Sequence, residues 1–174
     1  LAKGDEKKAM ALGLAKPELF AFRAADGKTI LYGTLYKPAN FDPPRKYPLL
    51  VSVYGGPSSR GVSNRYSAAY AYCEFGFLVA TIANRGTAAR GKAFETAGYL
   101  KLGTVDLDDQ AAGVRHLAKR PYVDATRVGI AGHSYGGYMS ALALLRYPDV
   151  FHVGVAGAPV SEWRDYDTHY TERY

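Results

Sequence analysis

Gly132-His133-Ser134-Tyr135-Gly136-Gly137 holds the densest chemistry in the chain, between a strand-like run from Arg127 to Ala131 and a helix-like run from Tyr138 to Tyr147. A serine with glycines two residues before and after it, between a strand and a helix, is the pattern of a nucleophile elbow. Such a turn holds its serine in a strained backbone conformation, projects Oγ from the top of a sheet and leaves the next N–H free to bind an oxyanion. The glycines answer a steric need, because a Cβ at Gly132 or Gly136 would press on the neighbouring strand or helix, and Gly137 lets the helix begin close to the sheet. Ser134 is therefore the candidate nucleophile, attacking an acyl carbon after a base takes its proton; its competing role is that of a helix N-cap. His133 points away from its neighbour in such a turn, so it is expected to face the core or the far side of the sheet, not to act as the base.

Two other stretches could carry chemistry. Gly86-Thr87-Ala88-Ala89-Arg90-Gly91-Lys92-Ala93 falls one residue short of a phosphate-cradling Gly-x-x-x-x-Gly-Lys-Ser/Thr loop, since Ala93 stands where a hydroxyl would ligate Mg²⁺. A nucleotide-binding protein is thus the competing class. From Val160 to Tyr174, the aromatics Trp163, Tyr166, Tyr170 and Tyr174 follow no core period. Beside a nucleophile, such a cluster is better read as the wall of an apolar pocket.

The surrounding elements must place these groups. Residues 1–16 form a charged leader with weak helical character from Asp5 to Leu14, and residues 17–174 form the domain proper. Leu19 to Arg23 and Thr29 to Tyr36 are β-rich runs joined through Asp26-Gly27, a hairpin signal. Prolines at 38, 43, 44 and 48 make the stretch from Pro38 to Pro48 a loop. Strands then alternate with helices. The expected order is strand Leu49 to Tyr54, helix Tyr66 to Phe75, strand Phe77 to Ile82, helix 107–119, the elbow strand and helix, and strand Val153 to Gly157. Asp106 is read as the N-cap of helix 107–119, with Asp108 and Asp109 at the positive end of its dipole. A hairpin followed by this alternation, with the elbow after the fifth strand, is the order of an α/β-hydrolase: a mostly parallel sheet with an N-terminal antiparallel hairpin. In that fold Tyr54, ending its strand before Gly55-Gly56-Pro57, stands where a second oxyanion donor is supplied; the alternative is ordinary packing.

Composition narrows the classes. The 174 residues are 48% hydrophobic and contain no apolar run of membrane-spanning length. A formal charge of +6, partly in Lys3, Lys7 and Lys8 of the leader, is scattered and comes with no nucleic-acid-binding motif. Cys73 is the single cysteine, which excludes an internal disulfide and any Cys-x-x-Cys site; it is expected to be a buried thiol. No metal site and no cofactor are expected. The compartment stays open, with a lean toward a periplasmic or secreted location, and a homo-oligomer is compatible with the sequence.

Taken together, Val53-Tyr54-Gly55-Gly56-Pro57, Asn84-Arg85-Gly86, Gly132 to Tyr138, and Ala158-Pro159-Val160 through Trp163 to Tyr170-Thr171-Glu172-Arg173-Tyr174 resemble the prolyl oligopeptidase family of serine peptidases. The stretch from Trp163 to Tyr174 looks most like its dipeptidyl peptidase IV branch. The resemblance runs from about residue 18 onward and assigns the Asn-Arg-Gly loop to the family pattern, against the phosphate-loop reading. It implies Ser134 as nucleophile, with the Tyr135 N–H and the Tyr54 hydroxyl as oxyanion donors. It makes Tyr135, Val160, Trp163, Tyr166 and Tyr170 the walls of a small apolar pocket for the residue before the scissile bond, typically proline. The implied partner is a peptide substrate. His133 departs from the tryptophan common in animal members. The family also places an aspartate and a histidine after further strands and carries a β-propeller. After Ser134 this chain offers only His152 and His169, neither on a late loop, so the Asp and His are expected from a missing C-terminal part of the domain and a propeller from an N-terminal one. Alternatives within enzymes are an acylaminoacyl peptidase, an oligopeptidase or a carboxylesterase of the same fold; outside enzymes, a non-catalytic interaction protein.

Overall fold

The computed structural model describes residues 5–60, 62–63, 67 and 69–174. Its strands are β1 (Glu18–Arg23), β2 (Ile30–Tyr36), β3 (Tyr47–Val53), β4 (Leu78–Ala83), β5 (Val123–His133) and β6 (Val153–Gly157). They form one six-stranded sheet in the order β1-β2-β4-β3-β5-β6. The hairpin β1–β2 joins β4 antiparallel, and β4, β3, β5 and β6 run parallel. The helices are α1 (Glu6–Ala11), α2 (Ala69–Cys73), α3 (Lys92–Glu95), α4 (Val105–Leu117), α5 (Tyr135–Arg146) and α6 (Thr168–Thr171). This is the α/β-hydrolase arrangement, with the elbow after the fifth strand. Among the described residues, no helix is long and apolar enough to cross a membrane.

The period-two alternation of the central strands divides the interior. Leu49, Val51 and Val53 of β3, with Leu78, Ala80 and Ile82 of β4, pack on one face against Leu107, Ala111, Val114 and Leu117 of α4 and against Tyr135, Met139 and Ala143 of α5. Val79 and Leu50 point to the other face, where Tyr36, Ala69, Tyr70 and Cys73 gather. Cys73 is fully buried, as expected, and burial pushes its thiol up to about 11.

Several boundaries differ from the sequence expectation. β3 begins at Tyr47 and includes Pro48, which the proline-rich loop was expected to contain. The strand tolerates it because the ladder to β4 starts only at Leu49 and the register to β5 shifts between Pro48 and Leu49, so no regular pairing demands the missing N–H. Tyr54 lies just past the end of β3. The expected start of the second helix at Tyr66 lies outside the described residues. α3 and the 3₁₀ turn Thr96–Gly98 after it were not expected. α4 begins with Thr104 at its N-cap, so Asp106 is not the cap.

Asp109 also does something other than offset a dipole. It is fully buried, and its carboxylate accepts Arg85 Nε and Nη2 at 2.9 and 2.8 Å, together with the backbone N–H groups of Arg85 and Ala25. Arg85 reaches on to Asp26 in the hairpin turn at 2.8 Å. One bidentate pair thus ties α4, the loop after β4 and the β1–β2 turn together. Removing one partner of such a pair strands a buried charge. Asp109→Ala should lower unfolding free energy by about 3–5 kcal/mol, read from the denaturant midpoint of the full-length protein; a loss below about 1 kcal/mol would mean that the network behaves like an exposed pair.

Candidate active site

Ser134 sits between the last residue of β5 and the first of α5 with φ 59° and ψ −122°, a conformation that costs an L-residue roughly 1–3 kcal/mol. The glycines around it do what the spacing required. A Cβ on Gly136 would collide with the Val53 carbonyl oxygen and come within 3.1 Å of the Tyr54 Cα, and one on Gly132 would lie 2.5 Å from the Gly136 carbonyl. A Cβ on Gly137 would lie 2.5 Å from the Gly157 oxygen of β6. The Ser134 N–H donates to that same Gly157 oxygen at 2.9 Å, and the Ser134 carbonyl accepts the Tyr138 N–H at 3.0 Å. Ser134 holds the N-cap position of α5, but its side chain makes no capping bond. As first residue of α5, Tyr135 has an N–H without an acceptor in a preceding turn, at the positive end of a 12-residue helix.

Tyr54 and Ser134 line one open groove of about 440 Å³, together with Leu50, Tyr72, His133 and Val155. The Tyr54 ring is 44% exposed and lies 6.0 Å from that of Tyr135. Burial, with Tyr166 nearby, raises the pKa of its hydroxyl, which keeps it an O–H donor. The turn beyond it is braced from α4. Gln110 Nε2 donates to Asn84 Oδ1 at 2.8 Å, and Asn84 Nδ2 donates to the Gly55 carbonyl at 2.9 Å. Gly55 has φ 75°, which favours glycine.

The first half of the loop from Gly86 to Ala93 has its N–H groups engaged: Gly86 donates to Phe94 O, Thr87 to Asn84 O, Ala88 to Ser59 O, and Ala89 to the Glu95 carboxylate. A carboxylate thus already occupies one of the donors that a bound anion would use.

The aromatic stretch folds into a box against Tyr135. Trp163 lies 6.0 Å from Tyr135 and 5.2 Å from Tyr138, and it stacks parallel to Tyr170 at 6.1 Å with an interplanar angle of 4°. Tyr166 meets both Trp163 and Tyr170 edge-on at 5.8 and 5.5 Å. Val160 is buried, whereas Tyr166 is exposed. The structure therefore brings Tyr135, Trp163, Tyr166 and Tyr170 together beside the elbow. The Tyr170 hydroxyl is buried with no hydrogen-bond partner among the described residues, and burial raises its pKa.

Asp106 belongs to the site as well, though its place in the sequence suggests only a capping role. It is 3% exposed in the first turn of α4; Oδ2 accepts the Tyr135 O–H at 2.5 Å and the Gly103 N–H at 3.2 Å, and Oδ1 accepts the Leu107 N–H at 3.0 Å. Burial raises its pKa against the pull of these three bonds. Burial and the adjacent carboxylate raise that of Tyr135, so Tyr135 is the donor. The signal was present in the spacing: Asp106 and Gln110 share a face of α4 with Val114 and Leu117.

The histidines are not bonded to Ser134 among the described residues. His133 shares the face of Leu50 and Ala131, the far side of the sheet, as one of its two expected placements; it is exposed there and lines the groove. His152 Nδ1 accepts the Val128 N–H at 3.2 Å, His169 is exposed on α6, and His116 stacks on Phe20 at 6.0 Å. Among the described residues none hydrogen-bonds Ser134, and no group of three or more His, Cys, Asp or Glu could hold a metal.

Residues 63–174 match the family described as the prolyl oligopeptidase family. The chain is 46% identical over 164 residues to human dipeptidyl peptidase 8, a match covering 91% of this chain and 18% of that protein. It is 38% identical over 161 residues to mouse prolyl endopeptidase FAP, covering 91% of this chain and 21% of that protein. Among solved structures, Porphyromonas gingivalis dipeptidyl peptidase 4 superposes with a TM-score of 0.85 at 41% identity, over 91% of this chain and 23% of that one. The chain thus spans about a fifth of the length of the curated relatives it matches.

The elbow's geometry is testable without any substrate. Gly136→Ala should destabilise by about 1–3 kcal/mol or more, as overpacking does, whereas Gly98→Ala, with no atom within 4 Å of the new Cβ, should leave Tm nearly unchanged. Equal Tm values for the two variants would show that α5 can retreat from β3.

Proposed function

The chain belongs to the prolyl oligopeptidase family of serine peptidases, and from that premise we propose that it carries the nucleophile, oxyanion site and specificity pocket of an enzyme that cleaves peptides after proline, in the manner of a dipeptidyl peptidase. The observation that carries this reading is the placement of Ser134, strained at the start of α5, between a tyrosine-lined groove and an aromatic box. Ser134 Oγ attacks the carbonyl carbon and gives its proton to a base. The negative oxygen of the tetrahedral intermediate receives the Tyr135 N–H and the Tyr54 O–H. Collapse breaks the C–N bond, the amine leaves with the proton the base had taken, and water hydrolyses the resulting acyl-enzyme.

The residue before the scissile bond enters the box of Tyr135, Val160, Trp163, Tyr166 and Tyr170. A pyrrolidine ring suits it, having apolar faces and no polar group that would be left without a partner. The base and the acid that orients it are assigned to segments outside these 174 residues. In support, no histidine hydrogen-bonds Ser134 among the described residues, and the relatives are about five times as long. Both a dipeptidyl peptidase and a prolyl endopeptidase are among those relatives; peptidase activity is what the two names share, and the second names proline.

In the full-length enzyme, Ser134→Ala should abolish hydrolysis of a Gly-Pro-arylamide and labelling by a fluorophosphonate without altering the fold. Tyr54→Phe should lower kcat on the order of 10²–10³-fold with little change in KM, because its donor meets charge only as the intermediate forms. Turnover surviving in Ser134→Ala, or a full kcat in Tyr54→Phe, would remove that residue from the mechanism.

The pocket is tested by selectivity. Tyr170→Ala should narrow the preference for proline over alanine before the scissile bond, since the ring stacked on Trp163 is lost. Equal losses with both substrates would point to a general loss of folded enzyme.

A further inference from the structure

We propose that Asp106 is a positioning residue for this reaction: by accepting the Tyr135 O–H it fixes both the ring that walls the proline pocket and the N–H that receives the oxyanion. The inference rests on the function proposed above, because it assigns Asp106 a task through Tyr135.

Tyr135 is asked to do two things at its two ends. Its backbone starts α5 beside Ser134, and its ring forms one side of the aromatic box. On the elbow side the ring is closely packed. A Cβ on Gly56 would lie 2.8 Å from its Cγ, and the rings of Tyr54, Tyr138 and Trp163 lie 6.0, 5.5 and 6.0 Å away. Behind it the situation is different. A cavity of about 360 Å³ opens there, lined by Tyr135 with Leu102, Tyr99, Arg85 and Asp106. Tyr135 is buried, and where it borders the cavity its hydroxyl is held by a polar contact, to Asp106.

The Tyr135 O–H donates to Asp106 Oδ2 with both side chains buried. The carboxylate is itself immobile: it holds two backbone N–H groups, from Gly103 and Leu107, and lies in the first turn of a 13-residue helix, where the dipole favours negative charge. α4 is in turn locked to the sheet through Asp109 and Arg85. The hydroxyl of Tyr135 is therefore anchored to a fixed point 29 residues away in sequence. A buried carboxylate is costly where an apolar side chain would pack, and the geometry gives this one a task that an apolar side chain could not perform.

The test is a double-mutant cycle in the full-length enzyme, with Asp106→Asn, Tyr135→Phe and the double variant. Each is assayed on Gly-Pro-arylamide and Gly-Ala-arylamide and for its rate of fluorophosphonate labelling at Ser134. Each single change should reduce the ratio of kcat/KM for proline to that for alanine by about tenfold to a hundredfold, and the double variant should be no worse than the poorer single. Multiplying losses, or a wild-type ratio in Tyr135→Phe, would overturn the proposal. If Asp106→Asn does not fold, Tyr135→Phe removes the same bond from the other end and decides the question alone. A wild-type enzyme that is labelled at Ser134 yet shows no preference for proline would sink the specificity reading instead; labelling rates would then read the same cycle, since charge develops against the Tyr135 N–H in phosphonylation too. A cycle additive in those rates would overturn the role of Asp106.

Discussion

Nothing larger than hydrogen fits between the Val53 carbonyl at the end of β3 and the backbone at Gly136. That contact sets how near the start of α5 can come to the sheet, and much else follows from it. With the helix pressed against β3 on one side and, through Gly137, against the end of β6 on the other, the turn between β5 and α5 has almost no freedom. Ser134 has to adopt φ 59°, and its side chain emerges beside Tyr54, the first residue after β3. Open parallel sheets place their ligands at the carboxyl ends of their strands. Here the backbone packing of three such ends, on β3, β5 and β6, determines where the Ser134 hydroxyl stands.

A helix that supplies no reacting group does much of the positioning. On α4, Asp106, Asp109 and Gln110 are all buried, and each answers to a different loop. Asp106 holds Tyr135, Asp109 holds Arg85 and the hairpin turn, and Gln110 reaches Gly55 through Asn84. Three polar side chains within five residues would be a poor way to fill a core, since burial of polar groups is costly unless they are paired. With only Gln110 Oε1 lacking a partner among the described residues, they convert one rigid helix into a common reference for the groove, the aromatic box and the sheet edge.

Local pattern carried the parts of this structure that depend on local pattern. Alternation of apolar residues identified the strands, the Asp26-Gly27 pair marked the hairpin, and glycine spacing around Ser134 located the elbow before any long-range contact was known. The aromatic box was legible as a cluster because Trp163, Tyr166 and Tyr170 fit no helical or strand period; how Trp163 and Tyr170 stack was not, since that depends on a turn of 3₁₀ helix and a short helix that only tertiary contacts stabilise. The failures have the same origin. Pro48 looked like a strand breaker because its N–H deficit was weighed without knowing that the β4 ladder starts one residue later. Asp106 looked like a helix cap and Asp109 like a dipole residue because their partners, Tyr135 and Arg85, lie 29 and 24 residues away. For His133 the alternation along β5 gave the face it shares with Leu50 but not its exposure.

The left-handed backbone at Ser134 sets activity against robustness. A non-glycine residue held there costs roughly 1–3 kcal/mol, a sizeable share of the 5–15 kcal/mol by which a domain is typically stable. Glycine would relieve the strain and remove the hydroxyl in the same step. Sequence changes that favour a more durable fold therefore run downhill toward loss of the group proposed above as the nucleophile.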